Sequence, residues 1–95
     1  MESKFDLSDF IATLTVEKAR SNLVDRFRTR RKEMGYSQRK LAALSGVSYA
    51  SIRRFETMGE ISLSSLLSLA DSLGYLADFE ALFVHSHIRS LKDIS

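Results

Sequence analysis

Residues Gln38 to Glu56 read QRKLAALSGVSYASIRRFE. Gly46 divides this stretch into two short, apolar-patterned runs. A serine opens each one: Ser37 precedes Gln38, and Ser48 precedes Tyr49. A serine hydroxyl so placed accepts from the free N–H groups of a helix's first turn. The pattern therefore predicts one helix from Gln38 to Leu44 or Ser45 and another from Tyr49 to about Glu56. Two short helices crossing at about 90–120° through a tight turn make definite demands. The first must be small where the second crosses it, and Ala42 is small. The turn must tolerate positive φ, as Gly46 does. The inner faces must be apolar, and Leu41, Val47, Ile52 and Phe55 fall in register for that.

Working upstream, Val16, Ala19, Leu23, Phe27 and Met34 keep helical spacing among Arg and Lys residues. They predict a long amphipathic helix, capped by Thr15 and ended at Gly35. Downstream, Thr57 to Glu60 reads as a loop. Ser62 then caps a helix with the stripe Leu63, Leu66, Leu67, Ala70 and Leu73, closed by Gly74. Tyr75, Leu76, Phe79, Leu82 and Phe83 repeat helical spacing for one more short helix. Residues 1–14 suit either a short helix capped by Ser8 or a strand or ordered arm. No proline interrupts the 95 residues, and there is no internal repeat. The expected fold is all-α, a compact bundle of about five short helices. An arm or short helix over 1–15 would lead into one domain over 16–84, with a polar tail over 85–95.

The chain is 44% apolar and 27% charged, ordinary for a soluble globule, and its net charge is only +2. That small value conceals a segregation. From Lys18 to Arg54 there are 11 basic and two acidic residues, a segment of +9, while residues 1–17 sum to −3 and residues 55–95 to −4. A basic middle in an acidic frame suits a polyanion on one face. The plain alternative is that these charges solvate helix surfaces. The absence of cysteine excludes disulfides and thiolate metal sites. The longest apolar runs are four residues, too short for a membrane span, so no membrane partner and a cytoplasmic location are expected. His85 and His87 are the only histidines, too few for a closed metal site. No phosphate-binding glycine loop, dinucleotide fingerprint or nucleophile elbow is present. Neither a cofactor, a metal nor an enzymatic role is expected.

Gln38, Leu41, Ala42, Gly46, Val47, Ile52 and Phe55 together resemble the motif of the Xre/Cro/phage-repressor class of helix-turn-helix proteins, and the likeness runs from about Val16 to Phe83. Two positions depart from it: Ser45, where the family usually has a larger apolar residue, and Arg30, where many relatives have an aliphatic one. The resemblance implies a lambda-repressor-like DNA-binding domain whose helix from Tyr49 enters the major groove. It implies base reading by Ser48, Tyr49, Ala50, Arg53 and Arg54. Gln38, Arg28, Arg39 and Lys40 would make phosphate or edge contacts. Arg31 and Glu56 match a partly buried ion pair of the relatives and are assigned to structure.

A module of this size reads few base pairs. The implied partners are therefore a second copy of the chain, as a homodimer, and double-stranded DNA carrying a short palindromic operator with half-sites about 34 Å apart. Leu69, Leu76 and Phe83, or Phe5 and Phe10, are candidates for the dimer surface; a core role suits them as well. Gly59, Glu60, Ile61 and Ser62, leading into the leucine-rich helix, further resemble the HipB-type antitoxin regulators. That narrower likeness implies a repressor of its own operon that binds a HipA-like kinase toxin. A stand-alone phage-type regulator, and an interaction module that keeps the fold without binding DNA, are the alternatives.

Overall fold

The computed structural model describes residues 13–86. The segments 1–12 and 87–95 lie outside it, and with them most of the expected arm and tail, including Phe5, Ser8, Phe10 and His87. Four α-helices follow one another: α1 (Val16–Glu33), α2 (Gln38–Ser45), α3 (Tyr49–Met58) and α4 (Leu63–Leu73). A 3-10 helix, Leu76–Ala81, closes the series, and the described residues contain no strand.

One local grammar writes all four helices. Thr15, Ser37, Ser48 and Ser62 stand extended at the N-caps, and each side-chain oxygen accepts from an N–H of the first turn. Each such cap is worth about 1 kcal/mol. Left-handed glycines end α2, α3 and α4. Gly46, at φ +79, donates to the Ala42 carbonyl at 3.0 Å and redirects the chain within three residues. The Ser45 hydroxyl accepts from the Val47 N–H at 3.1 Å, which gives the unusual serine a use inside the turn. Gly59 has a second constraint besides its φ of +72: a Cβ there would run into the aliphatic stem of Arg20.

Val24, Phe27, Leu41, Val47, Ile52, Phe55, Leu69 and Leu73 form the core. Phe27 and Phe55 meet edge-to-face at 5.1 Å between centroids, locking α1 to α3. Phe55, Leu41, Ile52 and Leu69 are fully enclosed, and burial of each contributes about 1.5–3 kcal/mol.

Several sequence expectations shift. The inward stripe of α1 runs through Val24, Phe27 and Arg31, while Val16, its first residue, and Met34, its C-cap, are exposed. α3 continues through Thr57 and Met58, residues expected in a loop, since nothing in the sequence stops it before Gly59. Leu69, a candidate for the dimer surface, is 0% exposed. It is buried together with Ala70 and Leu73 on α4, whereas Leu63 at the helix start faces solvent. The last helix is of the 3-10 type, and none of its six residues is buried.

Candidate nucleic-acid interface

The inward face of α3 determines its outward one. Ile52, Phe55 and Glu56 are buried at helical spacing, which turns Ala50, Arg53, Arg54 and Thr57 to solvent. The helix is thus a short rod braced from behind, with a free flank that carries two guanidinium groups.

A buried polar hub does much of the bracing. The Arg31 guanidinium grips the Glu56 carboxylate with both arms, Nε donating to Oε2 at 2.7 Å and Nη2 to Oε1 at 2.9 Å. Its third nitrogen donates to the Tyr36 carbonyl at 2.8 Å. Gln38 Nε2 donates to Glu56 Oε1 at 3.0 Å. Arg28 donates to the Glu56 backbone carbonyl at 2.7 Å and reaches Oε1 at 3.4 Å. One carboxylate near the end of α3 therefore ties down α1, the start of α2 and the loop between them. Burial works to raise the Glu56 pKa. Hydrogen bonds from Arg31 and Gln38 and the charges of Arg31 and Arg28 outweigh it, so the carboxyl is held below its ordinary range.

This hub engages two of the residues expected at the phosphate or edge contacts. Arg28 is half-buried and pairs with Glu56 and Asp25. The Gln38 side chain likewise turns inward, leaving its position at the N-terminus of α2, rather than its amide, on the surface. Spacing held a signal for Arg28, which lies three residues before Arg31 on the same helical face.

The other named residues fall around the two helix starts. Ser48 is engaged as a cap, accepting from the Ser51 N–H and donating to the Ser51 hydroxyl. The Arg39 guanidinium lies over the Tyr49 ring, 3.9 Å from its centroid, and so fixes a residue of α2 against the first residue of α3. Sequence reading missed this stack, because the turn between them decides it. Arg54 pairs with the exposed Glu60 at 2.6 Å, and that pairing lowers the Glu60 pKa through the hydrogen bond and charge of Arg54. Arg53, Arg39 and Lys40 have no ion-pair partner among the described residues.

Two of those free cations occupy an unfavourable place. Arg39 and Lys40 sit in the first turn of α2, which holds no acidic residue. The N-terminal end of a helix carries partial positive charge and favours anions. Cations there are destabilising until an anion arrives to face both them and the free N–H groups. α3 opens beside them with an equally acid-free first turn. Two helix starts without an acidic residue thus stand on either side of the turn, and α3 carries Arg53 and Arg54 exposed further along its length. No three-residue cluster of metal-ligating side chains occurs among the described residues, and no helix there is long and apolar enough to cross a membrane.

A family model described as helix-turn-helix matches residues 27–79, from the middle of α1 to the 3-10 helix. No curated protein and no solved structure matches the chain.

Proposed function

The chain belongs to the helix-turn-helix family of DNA-binding transcription regulators, and from that premise we propose that it is a repressor that binds a short palindromic operator as a homodimer. α3 enters the major groove. Arg53 and Arg54 read guanine O6 and N7, and Arg54 exchanges Glu60 for the base. Tyr49 and Ala50 lie against thymine methyls or sugars at the start of α3, with Ser48 at the edge. Arg39, Lys40 and the starts of α2 and α3 hold phosphates. The observation that carries the reading is the pair of cations, Arg39 and Lys40, without an ion-pair partner among the described residues in the acid-free first turn of α2, with Arg39 stacked on the first residue of α3.

The narrower proposal is an antitoxin that represses its own operon from the cytoplasm and binds a HipA-like kinase toxin. The toxin would engage surfaces away from α3. The likeness of residues 59–62 and the leucine-rich α4 to HipB-type regulators supports it.

The test is a footprint on the DNA upstream of the chain's own gene, followed by binding at several salt concentrations. Saturable protection of a near-palindrome is expected. The logarithm of the binding constant should fall with the logarithm of salt by about 0.9 per phosphate engaged. Absence of any protected site, with retained binding to a co-encoded protein, would replace repression by a pure interaction role. Failure to bind a co-encoded kinase, with an intact footprint, would leave a stand-alone regulator.

A further inference from the structure

Phe83 is 95% exposed and has φ +61, a left-handed conformation that bulky residues enter at a cost. A cavity of about 300 Å³ opens beside it. Leu23 and Phe27 of α1, Leu66, Ala70 and Leu73 of α4, and Phe79 of the 3-10 helix form its apolar wall. Leu82 also lines the cavity but Phe83 does not, so the chain's own exposed ring leaves it unfilled.

The charges around this face complement one another and stand unpaired. Arg26 lies on the α1 side of the cavity and Asp78 on the other, and Glu80 is exposed on the same 3-10 helix. None of the three has an ion-pair partner among the described residues. Leu76, Leu82 and Val84 extend the exposed apolar surface around Phe83. Knob, cavity and both signs of charge thus share one end of the molecule. A two-fold contact requires such self-complementarity, since the same patch must serve both copies.

We propose that this face joins two copies of the chain, the Phe83 of each entering the cavity of the other, with Arg26 facing the partner's Asp78. The inference rests on the homodimer of the proposed function and specifies its contact. No residue of α2 or α3 lines the cavity, so the contact leaves both copies of α3 open to a duplex.

The chain has no cysteine, which permits a direct test on full-length protein. Phe83→Cys and Phe79→Cys chains, the latter altered at a partly exposed residue of the cavity wall, are prepared separately, mixed and oxidised with diamide. A disulfide-linked heterodimer is expected. Phe83→Cys mixed with Ala43→Cys, exposed on α2, should give none. In sedimentation, Phe83→Asp should weaken self-association at least tenfold, and its thermal unfolding should match wild type at dilutions where both are monomeric, because the exposed ring supports nothing within its own copy. Phe83→Asp should also keep wild-type affinity for a single half-site and lose at least tenfold on the palindrome. Three results would overturn the proposal: a wild type that stays monomeric on and off DNA, a dimer indifferent to Phe83→Asp, or equal cross-linking to Ala43→Cys. A chain that dimerises through Phe83 yet ignores DNA would instead defeat the repressor reading and leave this contact standing.

Discussion

Glu56→Ala removes a carboxylate that accepts from Arg31, Gln38 and Arg28. The three donors are not left in the same condition. Arg28, with 36% of its side chain exposed, already contacts Asp25 and can turn to water. Gln38 is half-buried and uncharged, with solvent within reach. Arg31 has neither escape: its side chain is 9% exposed, and the Tyr36 carbonyl satisfies only one nitrogen. The loss is therefore that of one buried, unpaired guanidinium, roughly 3–5 kcal/mol. For a domain of this size each kcal/mol moves the melting temperature by about 4–8 °C, so the drop should be roughly 12–40 °C. Urea and thermal unfolding followed by circular dichroism at 222 nm measure it on the full chain. Arg31→Met combined with Glu56→Leu should recover most of the loss, because replacing both members of a buried pair by apolar groups is about neutral. A loss below about 1 kcal/mol in Glu56→Ala, or a double variant no better than the single one, would refute the hub as the brace of α3.

The same carboxyl sets a pH dependence. Its pKa in the folded chain lies below the ordinary 4.5, so in the interval between the two values the unfolded chain binds more protons. The stability it supplies is complete above 4.5 and is lost as pH falls through the folded value; thermal unfolding of Glu56→Gln should show a shallower acid limb than wild type, and an equally steep one would assign the limb to other carboxylates. Gly46→Ala should lose roughly 1–2 kcal/mol from its left-handed backbone alone, since open space surrounds the new methyl. Gly59→Ala should lose more, because the methyl must also displace the Arg20 stem, and equal losses in urea titrations would show that this stem moves freely. Arg39→Ala should weaken operator and unrelated duplexes alike and lower the salt slope by about 0.9, whereas an unchanged slope would place Arg39 away from the phosphates.

The fold was legible in the sequence wherever a local rule governed it. Serine before each apolar run and glycine after it mark α2, α3 and α4, because capping and left-handed closure are decided within a few residues. The spacing of Leu41, Val47, Ile52 and Phe55 likewise identifies the core of the crossing pair. What spacing left open depended on tertiary neighbours. Leu69 lies on a leucine-rich helix with several plausible inner stripes, and only the packing of α2 on α4 decides that it is enclosed. The partners of Arg28, Gln38 and Arg54 were not legible either. Their pairing with Glu56 and Glu60 is a matter of three-dimensional distance that spacing along one helix cannot fix. The basic count from Lys18 to Arg54 overstated the free charge for the same reason, since Arg28, Arg30, Arg31 and Arg54 all pair internally.

The central claim is that the free flank of α3 reads bases, and Arg53 is its clearest representative, exposed and without an ion-pair partner among the described residues. The decisive measurement is the affinity of Arg53→Ala for the footprinted operator and for a scrambled duplex of equal length, at one salt concentration. A loss of roughly 1–3 kcal/mol on the operator, confined to defined guanine positions and far smaller on the scrambled duplex, is the predicted result. Equal losses on both would reduce Arg53 to a phosphate contact and contradict the account.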